Sequence, residues 1–252
     1  MVRLGDITQD HVEDFQLTNF SNDYRLKTLL NLVPVKQGAK ILDVGSGNGE
    51  MAIALSKKAN VVYATDNSMK VVKKLKSKAK NIHNLKVIKM DATKPNLTVN
   101  DFDLVTACDV AEHLKNDREF FNGCYFLLKS KGTLFVSVPA CPLLYGKRDK
   151  HYGHYRRYEK KDLEEKITAS GFTIKSSRFW NLIGVLPYLI SEKILNKELT
   201  GPARSGKKRF MTRIVNSFLY IWLTIEGRIN MLPIGLSLIV IAQKNVRKNN
   251  SN

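Results

Sequence analysis

The stretch Ile41-Leu-Asp-Val-Gly-Ser-Gly-Asn-Gly49 decides the fold. An apolar run that reads as a strand passes straight into a turn with glycine at every second position, and the segment after it, 48–58, has helical texture. Glycine permits positive φ and lets a backbone approach a ligand without a Cβ in the way. A strand, a glycine turn and a helix in that order open a parallel sheet whose ligands bind at the carboxyl ends of the strands.

A dinucleotide-binding site is the obvious competitor for such a loop. The spacing here is Gly-x-Gly-x-Gly rather than Gly-x-Gly-x-x-Gly, and an acid, Asp43, stands inside the strand end. A carboxylate there repels a pyrophosphate and suits a cationic amino group instead. Outward from this unit, apolar runs near 40–45, 60–66, 85–90, 102–108 and 132–138 are read as strands, and 48–58, 68–80 and 115–129 as crossover helices. Three further acids fall at successive strand ends: Asp66, about 20 residues past the loop where a carboxylate accepts ribose hydroxyls, then Asp91 and Asp109. Singly, each reads as a helix cap or turn residue. Four beside one glycine loop are hard to assign to capping alone.

Past residue 150 a helix begins at Tyr158-Glu-Lys-Lys-Asp-Leu and ends at Gly171, and a strand follows over Phe172 to Phe179. Leu236-Ser-Leu-Ile-Val-Ile-Ala242 closes the chain as a last strand, pairing antiparallel with its predecessor at the sheet edge. The division expected is a main domain over 1–181 and 231–245, a helical basic and apolar insertion over 182–230, and a disordered tail over 246–252.

The chain has 252 residues and a formal charge of +18, which favours a polyanionic partner or an acidic membrane surface, or marks a solvated basic surface. Cys108, Cys124 and Cys141 lie far apart with no metal-ligand spacing, so no metal site is expected and the thiols read as reduced and cytosolic. The start has no apolar signal segment. Apolar runs at 179–190, 214–225 and 231–242 are twelve residues each, short of the roughly 18 a membrane span needs.

Taken together, Leu42-Asp-Val-Gly-Ser-Gly-Asn-Gly49, Asp66, Asp91-Ala92 and Val110-Ala-Glu-His-Leu114 resemble the motif set of class I S-adenosylmethionine-dependent methyltransferases, over roughly 22–175. The resemblance implies a Rossmann-like α/β fold: a seven-stranded, mostly parallel sheet with helices on both faces and a helical insertion between the last two strands. It implies S-adenosylmethionine as cofactor, with Asp43, Gly45, Ser46, Gly47 and Gly49 around the methionine part, Asp66 and Asn67 at the ribose, Asp91 and Ala92 at the adenine, and Asp109 and Val110 lining the cleft. Glu112-His113 resembles the pair found in small-molecule and quinone-pathway O-methyltransferases. Cys108-Asp-Val-Ala stands where amino-methylating members carry Asn-Pro-Pro-Tyr, which disfavours methylation of a base nitrogen.

Methyl transfer to oxygen needs alignment and a group to take the acceptor proton. His113, His151 and His154 are candidate bases, and Asp109 is a fourth candidate catalytic residue. The run Tyr145-Gly-Lys-Arg-Asp-Lys-His-Tyr-Gly-His-Tyr-Arg-Arg-Tyr158 follows strand five, and its Arg and Tyr side chains suit a phosphate or carboxylate on the acceptor. Its His151-to-Tyr158 part also resembles a loop of methyltransferases that accompany polysaccharide- and lipid-modifying enzymes.

In the insertion, apolar residues at 211, 214, 215, 218, 222 and 225 make one helical stripe, preceded by Arg204, Lys207, Lys208 and Arg209. That pairing is expected to meet an acidic membrane surface or to serve as core. The expected partner is a small-molecule or lipid-linked acceptor, in a cytoplasmic and membrane-peripheral setting. RNA methylation and a non-catalytic regulatory role are the rival readings, and no RNA-binding motif is visible for the former.

Overall fold

The computed structural model describes residues 19–95, 97–190, 221–223, 225, 226, 229 and 232–245. Elements run α1 (Asn19–Leu32), β1 (Lys40–Val44), α2 (Glu50–Ser56), β2 (Val61–Asp66), α3 (Met69–Lys78), β3 (Leu85–Lys89), β4 (Phe102–Cys108), a 3₁₀ turn (Ala111–His113), α4 (Asp117–Leu127), β5 (Leu128–Pro139), a second 3₁₀ turn (Pro142–Leu144), α5 (Lys147–His151), α6 (Lys160–Ala169), β6 (Phe172–Trp180), α7 (Val185–Leu189) and β7 (Ser237–Lys244). They build one seven-stranded sheet in the order β3-β2-β1-β4-β5-β7-β6. β1 to β5 pair in parallel, while β7 is antiparallel to both β5 and β6. The sheet is thus mostly parallel with an antiparallel edge, as the sequence implies.

Successive strand residues point to opposite faces, so each strand feeds two cores. Leu42, Val44, Val105, Leu134, Val136, Leu238 and Val240 face α4 and α6, packing with Phe120, Phe121, Leu163 and Ile167. Ile41, Val62, Ala64, Leu104, Phe135 and Ile239 face the other way, toward Leu29 of α1, Met51, Ala52 and Leu55 of α2 and Leu75 of α3. In α3 the apolar Val71, Val72 and Leu75 are buried, and Lys73, Lys76 and Lys78 lie on the exposed back. That lysine run is a solvated face.

Strand order reverses between β1 and β4. The connections leaving their carboxyl ends part to opposite faces and leave a crevice there, the ligand position of open α/β sheets.

Two element boundaries and one whole helix differ from expectation. β5 begins at Leu128, directly behind α4, because Leu128 already pairs with Phe102; the register then shifts before Leu104 meets Thr133, and Lys131 takes a positive φ of 61° in between. The helix expected over 115–129 therefore stops at Leu127. Helix α1 has no counterpart in the sequence reading, because its buried positions, Thr28 and Leu29, do not repeat as a clear apolar stripe. Most of the insertion, including Arg204, Lys207, Lys208, Arg209 and stripe positions 211 to 218, and the tail over 246–252, lie outside the described residues. Among the described residues no helix is long and apolar enough to cross a membrane.

Candidate active site

The turn after β1 is built for close approach. Gly45, Gly47 and Gly49 hold φ of 65°, 51° and 80°, values that a side chain disfavours. A Cβ on Gly49 would sit 2.1 Å from Leu75 Cδ1 and one on Gly45 2.5 Å from Val110 Cγ2, whereas one on Gly47 would meet no atom within 4 Å. The outer glycines are therefore demanded by packing. The middle one borders open space in the crevice.

Ser46 ties the turn to β2: its Oγ donates to the Asp43 carbonyl at 2.9 Å and accepts from Thr65 N at 3.1 Å. Its side chain serves the scaffold of the turn. Asp43 is buried, its Oδ1 accepts from Thr106 Oγ1 at 2.6 Å, and its Oδ2 has no partner. Burial pushes its carboxyl up to about 6, against the hydrogen bonds from Thr106 and Ser46. A buried half-satisfied carboxylate at the mouth of a glycine turn fits an ammonium group.

Asp66 receives Gly47 N at 3.1 Å on Oδ2 and Ser68 N at 2.9 Å on Oδ1. Each carboxylate oxygen can accept two bonds, so room remains for two ribose hydroxyls. Desolvation raises its pKa, with the backbone amides opposing. Asn67 beside it is exposed. Asp91 is exposed, and its Oδ1 closes a local turn by accepting from Thr93 N and Oγ1. Ala92 is half-buried beside it.

On the β4 side, Asp109 takes a positive φ of 56° and its amide donates to the Ser137 carbonyl. Its Oδ1 pairs with Arg25 Nη2 at 2.6 Å, and the same Arg25 nitrogen donates to Ser137 Oγ at 3.0 Å. Desolvation, the largest influence, would lower the Arg25 pKa, but Asp109, Cys108 and Glu112 together outweigh it and the value is raised. Asp109 therefore meets a guanidinium from α1, a partner with no sequence signal. Val110 is buried against Gly45.

Glu112 is fully buried with both carboxylate oxygens unpartnered, and desolvation followed by the nearby Asp109 pushes its pKa well up. Its carbonyl accepts from Tyr155 N at 2.7 Å, which folds the 145–158 loop back over the 3₁₀ turn. The His113 ring meets His154 edge-on at 4.6 Å between centroids. Burial, then His154, lowers the His113 pKa to about 4. Glu112, His113 and His154 each bring one potential ligand atom within 4.8 Å of the others. His151, by contrast, is exposed on α5 and stacks edge-on with Tyr152.

The expected anion clamp in the 145–158 loop is not free to act. Arg157 is buried, its Nε on both oxygens of Asp149 at 2.9 and 2.8 Å, its Nη1 on the Ala140 carbonyl and its Nη2 on Tyr188 Oη at 2.5 Å. Arg156 pairs with Asp117 at 2.9 Å and donates to the Lys115 carbonyl. Buried Asp149 and Asp117 demand these partners, so the charge of each guanidinium is already matched inside the fold. Asp149, which the sequence reading passed over inside the loop, is the hub: besides Arg157 it meets His154 Nδ1 at 3.0 Å and Gly146 N at 3.0 Å.

Cys124 is buried and Cys108 half-buried, and desolvation pushes both thiols up, which favours the unreactive thiol over the thiolate.

Comparison with known proteins agrees with this geometry. Residues 42–136 match a family model described as a methyltransferase domain. The chain is 29% identical over 125 residues to the ubiquinone biosynthesis O-methyltransferase of Coxiella burnetii, an alignment covering 46% of this chain and 50% of that protein. It thus spans about half the length of the curated relative it matches. Among solved structures it resembles phosphoethanolamine N-methyltransferase 2 of Haemonchus contortus in complex with S-adenosyl-L-methionine, with a TM-score of 0.63, 18% identity, and coverage of 98% of this chain and 61% of that one. It also resembles an S-adenosylmethionine-dependent methyltransferase of Mesorhizobium loti, with a TM-score of 0.62, 15% identity and coverage of 88% and 98%. At these identities the likeness concerns the fold. The glycine turn, the strand-end acids and the sheet order fall within or around the matched segment, so residues 42–136 are similar to a methyltransferase domain, and the cofactor this likeness supports is S-adenosylmethionine.

Proposed function

We propose that the protein methylates a hydroxyl group on an apolar small molecule, a quinone precursor or a lipid- or glycan-linked acceptor, with S-adenosylmethionine as donor. The observation that carries the reading is one crevice flanked by two kinds of chemistry: the glycine turn with the unpartnered Asp43 Oδ2 on the β1 side, and His113 and His154 on the β4 side. Asp43 and the amides of Gly45, Gly47 and Gly49 would hold the amino-acid end, Asp66 and Asn67 the ribose, and Asp91 and Ala92 the adenine, with Asp109 and Val110 along the cleft.

When bound, the donor supplies a methyl carbon on a sulfonium, which needs no activation by the protein. The residues of this chain then have to exclude water, hold the acceptor oxygen for in-line approach and receive its proton. Of the three candidate histidines, His113 and His154 meet edge-on beside the 3₁₀ turn that follows β4, and His151 is exposed on α5.

An apolar acceptor is supported by the exposed Ile183, Leu186 and Ile190 near α7 and by Ile221, Trp222 and Ile225 farther along the insertion. With the +18 charge, these side chains also favour an acidic membrane surface and a cytoplasmic, membrane-peripheral setting. The similarity to the Coxiella O-methyltransferase supports an oxygen acceptor.

Incubation with labelled S-adenosylmethionine and a prenylated catechol tests the reading: label in a methyl ether is the expected result. Transfer to RNA with none to the catechol would replace it with the nucleic-acid alternative. Cofactor binding without transfer to any acceptor class would leave a non-catalytic protein.

A further inference from the structure

We propose that Asp149 is a positioning residue for the reaction: its carboxylate accepts the Nδ1 proton of His154 and so fixes the tautomer that leaves Nε2 as the base for the acceptor hydroxyl. The inference rests on the methyltransferase reading above and selects one base from three.

The selection is geometric. His154 alone among the crevice histidines has a carboxylate on one ring nitrogen, with Nδ1 at 3.0 Å from Asp149 Oδ1. Asp149 in turn is held from several directions, by Arg157 Nε, by Gly146 N and by Tyr188 Oη at 3.3 Å. The backbone is fixed as well: His154 N donates to the Asp149 carbonyl at 2.8 Å, and Tyr145 Oη donates to the His154 carbonyl at 2.8 Å. A carboxylate so restrained cannot follow the ring, so the ring follows it.

An ionised carboxylate only accepts, which obliges Nδ1 to carry the proton in the neutral ring and leaves Nε2 with a lone pair. His113 lacks such a partner. Its ring is stacked edge-on against His154 and, by burial, stays neutral to about pH 4. It serves as the wall that, with Glu112, confines the His154 ring.

In the step assigned here, the acceptor O–H bond breaks, the proton bonds to Nε2, and the electron pair stays on the oxygen that attacks the methyl carbon. The imidazolium, balanced by Asp149, then passes its proton to water. The sequential arrangement of carboxylate, imidazole and hydroxyl follows the general logic of oriented bases.

The test begins with the intact protein and needs no acceptor. Nitrogen-15 shifts of the His154 ring should report the Nδ1–H tautomer, and Asp149→Asn should lose it, since the amide can present an N–H to Nδ1 and reverse the tautomer. With the prenylated catechol, Asp149→Asn should lower kcat about 10²-fold with KM changed by less than about threefold, the range for loss of a positioned base. His154→Ala should lower it equally, and the double variant should be no worse than either. A merely structural Asp149 would give additive losses in the double variant.

The proposal is overturned by an Nε2–H tautomer in the wild type, by additive losses, or by His154 ring shifts that move on chelation of divalent cations, which would make Nε2 a ligand. Failure of the underlying reading is distinguishable: a wild type that transfers no methyl group sinks the activity while the tautomer measurement still stands or falls by itself.

Discussion

Acidification tests the proposed pairing of Asp43 with the ammonium group of the cofactor. Its carboxyl titrates near 6 rather than at the ordinary 3.8, because burial opposes ionisation and only one oxygen is hydrogen-bonded. If the ammonium of the cofactor binds the ionised form, affinity weakens by the factor 1 + 10^(6−pH), which is about twofold at pH 6 and about tenfold at pH 5. A carboxylate at 3.8 would give a change of only about 1.1-fold at pH 5. The sign for stability is the reverse: a folded pKa above the unfolded one favours folding at low pH, and that contribution is lost as pH rises through about 6. Ionised and unliganded, Asp43 costs up to about 3 kcal/mol at neutral pH, which the ammonium relieves on binding. Calorimetry with S-adenosylhomocysteine between pH 5 and 8 should show affinity rising with pH and proton release below 6. Asp66, raised in the same direction, would add to the trend, so Asp43→Asn serves as control and should flatten most of it while lowering affinity throughout. Equal affinity at pH 5 and 8 in the wild type would refute the pairing of Asp43 with a cation.

The glycines of the turn separate packing from binding. Gly49→Ala drives a Cβ into Leu75 and should lower the melting temperature, whereas Gly47→Ala, with nothing nearby, should cost the folded state only the roughly 1–2 kcal/mol of a left-handed backbone and act on cofactor affinity; calorimetry and thermal melts together check the contrast. Acid unfolding provides a third prediction. Asp149 is held down to about 2 by His154, Arg157 and Gly146 against the opposing pull of desolvation, so its stabilisation of up to about 2 kcal/mol is intact above 3.8 and disappears as pH falls toward 2. Circular dichroism should show Asp149→Asn with a flatter loss of stability across that interval.

The glycine-turn side of the crevice was legible because it is written in neighbouring residues. A strand, three glycines and an acid occupy nine consecutive positions, and strand ends at Asp66, Asp91 and Asp109 follow from apolar runs bounded by turns. The β4 side depends on contacts across long separations. Arg25 reaches Asp109 from 84 residues away, and Tyr158 Oη reaches Asp117 over 41. No local pattern marks such pairs. The same limit explains the correction at Arg156 and Arg157, whose residue types suit an anion but whose charges are taken by Asp117 and Asp149. His113 and His154 were both singled out from sequence, but which of them has a carboxylate partner became visible only when the loop folded back onto Glu112.

That fold-back also links the insertion to the site, through Tyr188. Its Oη lies 2.5 Å from Arg157 Nη2 and 3.3 Å from Asp149 Oδ2, and its ring lies 4.5 Å from the Arg157 guanidinium carbon. Tyr188→Phe keeps the ring contact and removes only the hydroxyl, leaving a buried guanidinium N–H without that acceptor, a loss of about 1–3 kcal/mol. In a chain of this size each kcal/mol moves the melting temperature by about 2–4 °C, so a drop of several degrees is expected. Asp43 and the glycine turn are built from other elements, so affinity for S-adenosylhomocysteine should stay within about twofold of wild type. Methyl transfer should fall because the carboxylate that orients His154 loses one of its restraints. A variant as stable as wild type and equally active would show that α7 merely rests on the loop; lost cofactor affinity would place the two sides of the crevice in one cooperative unit.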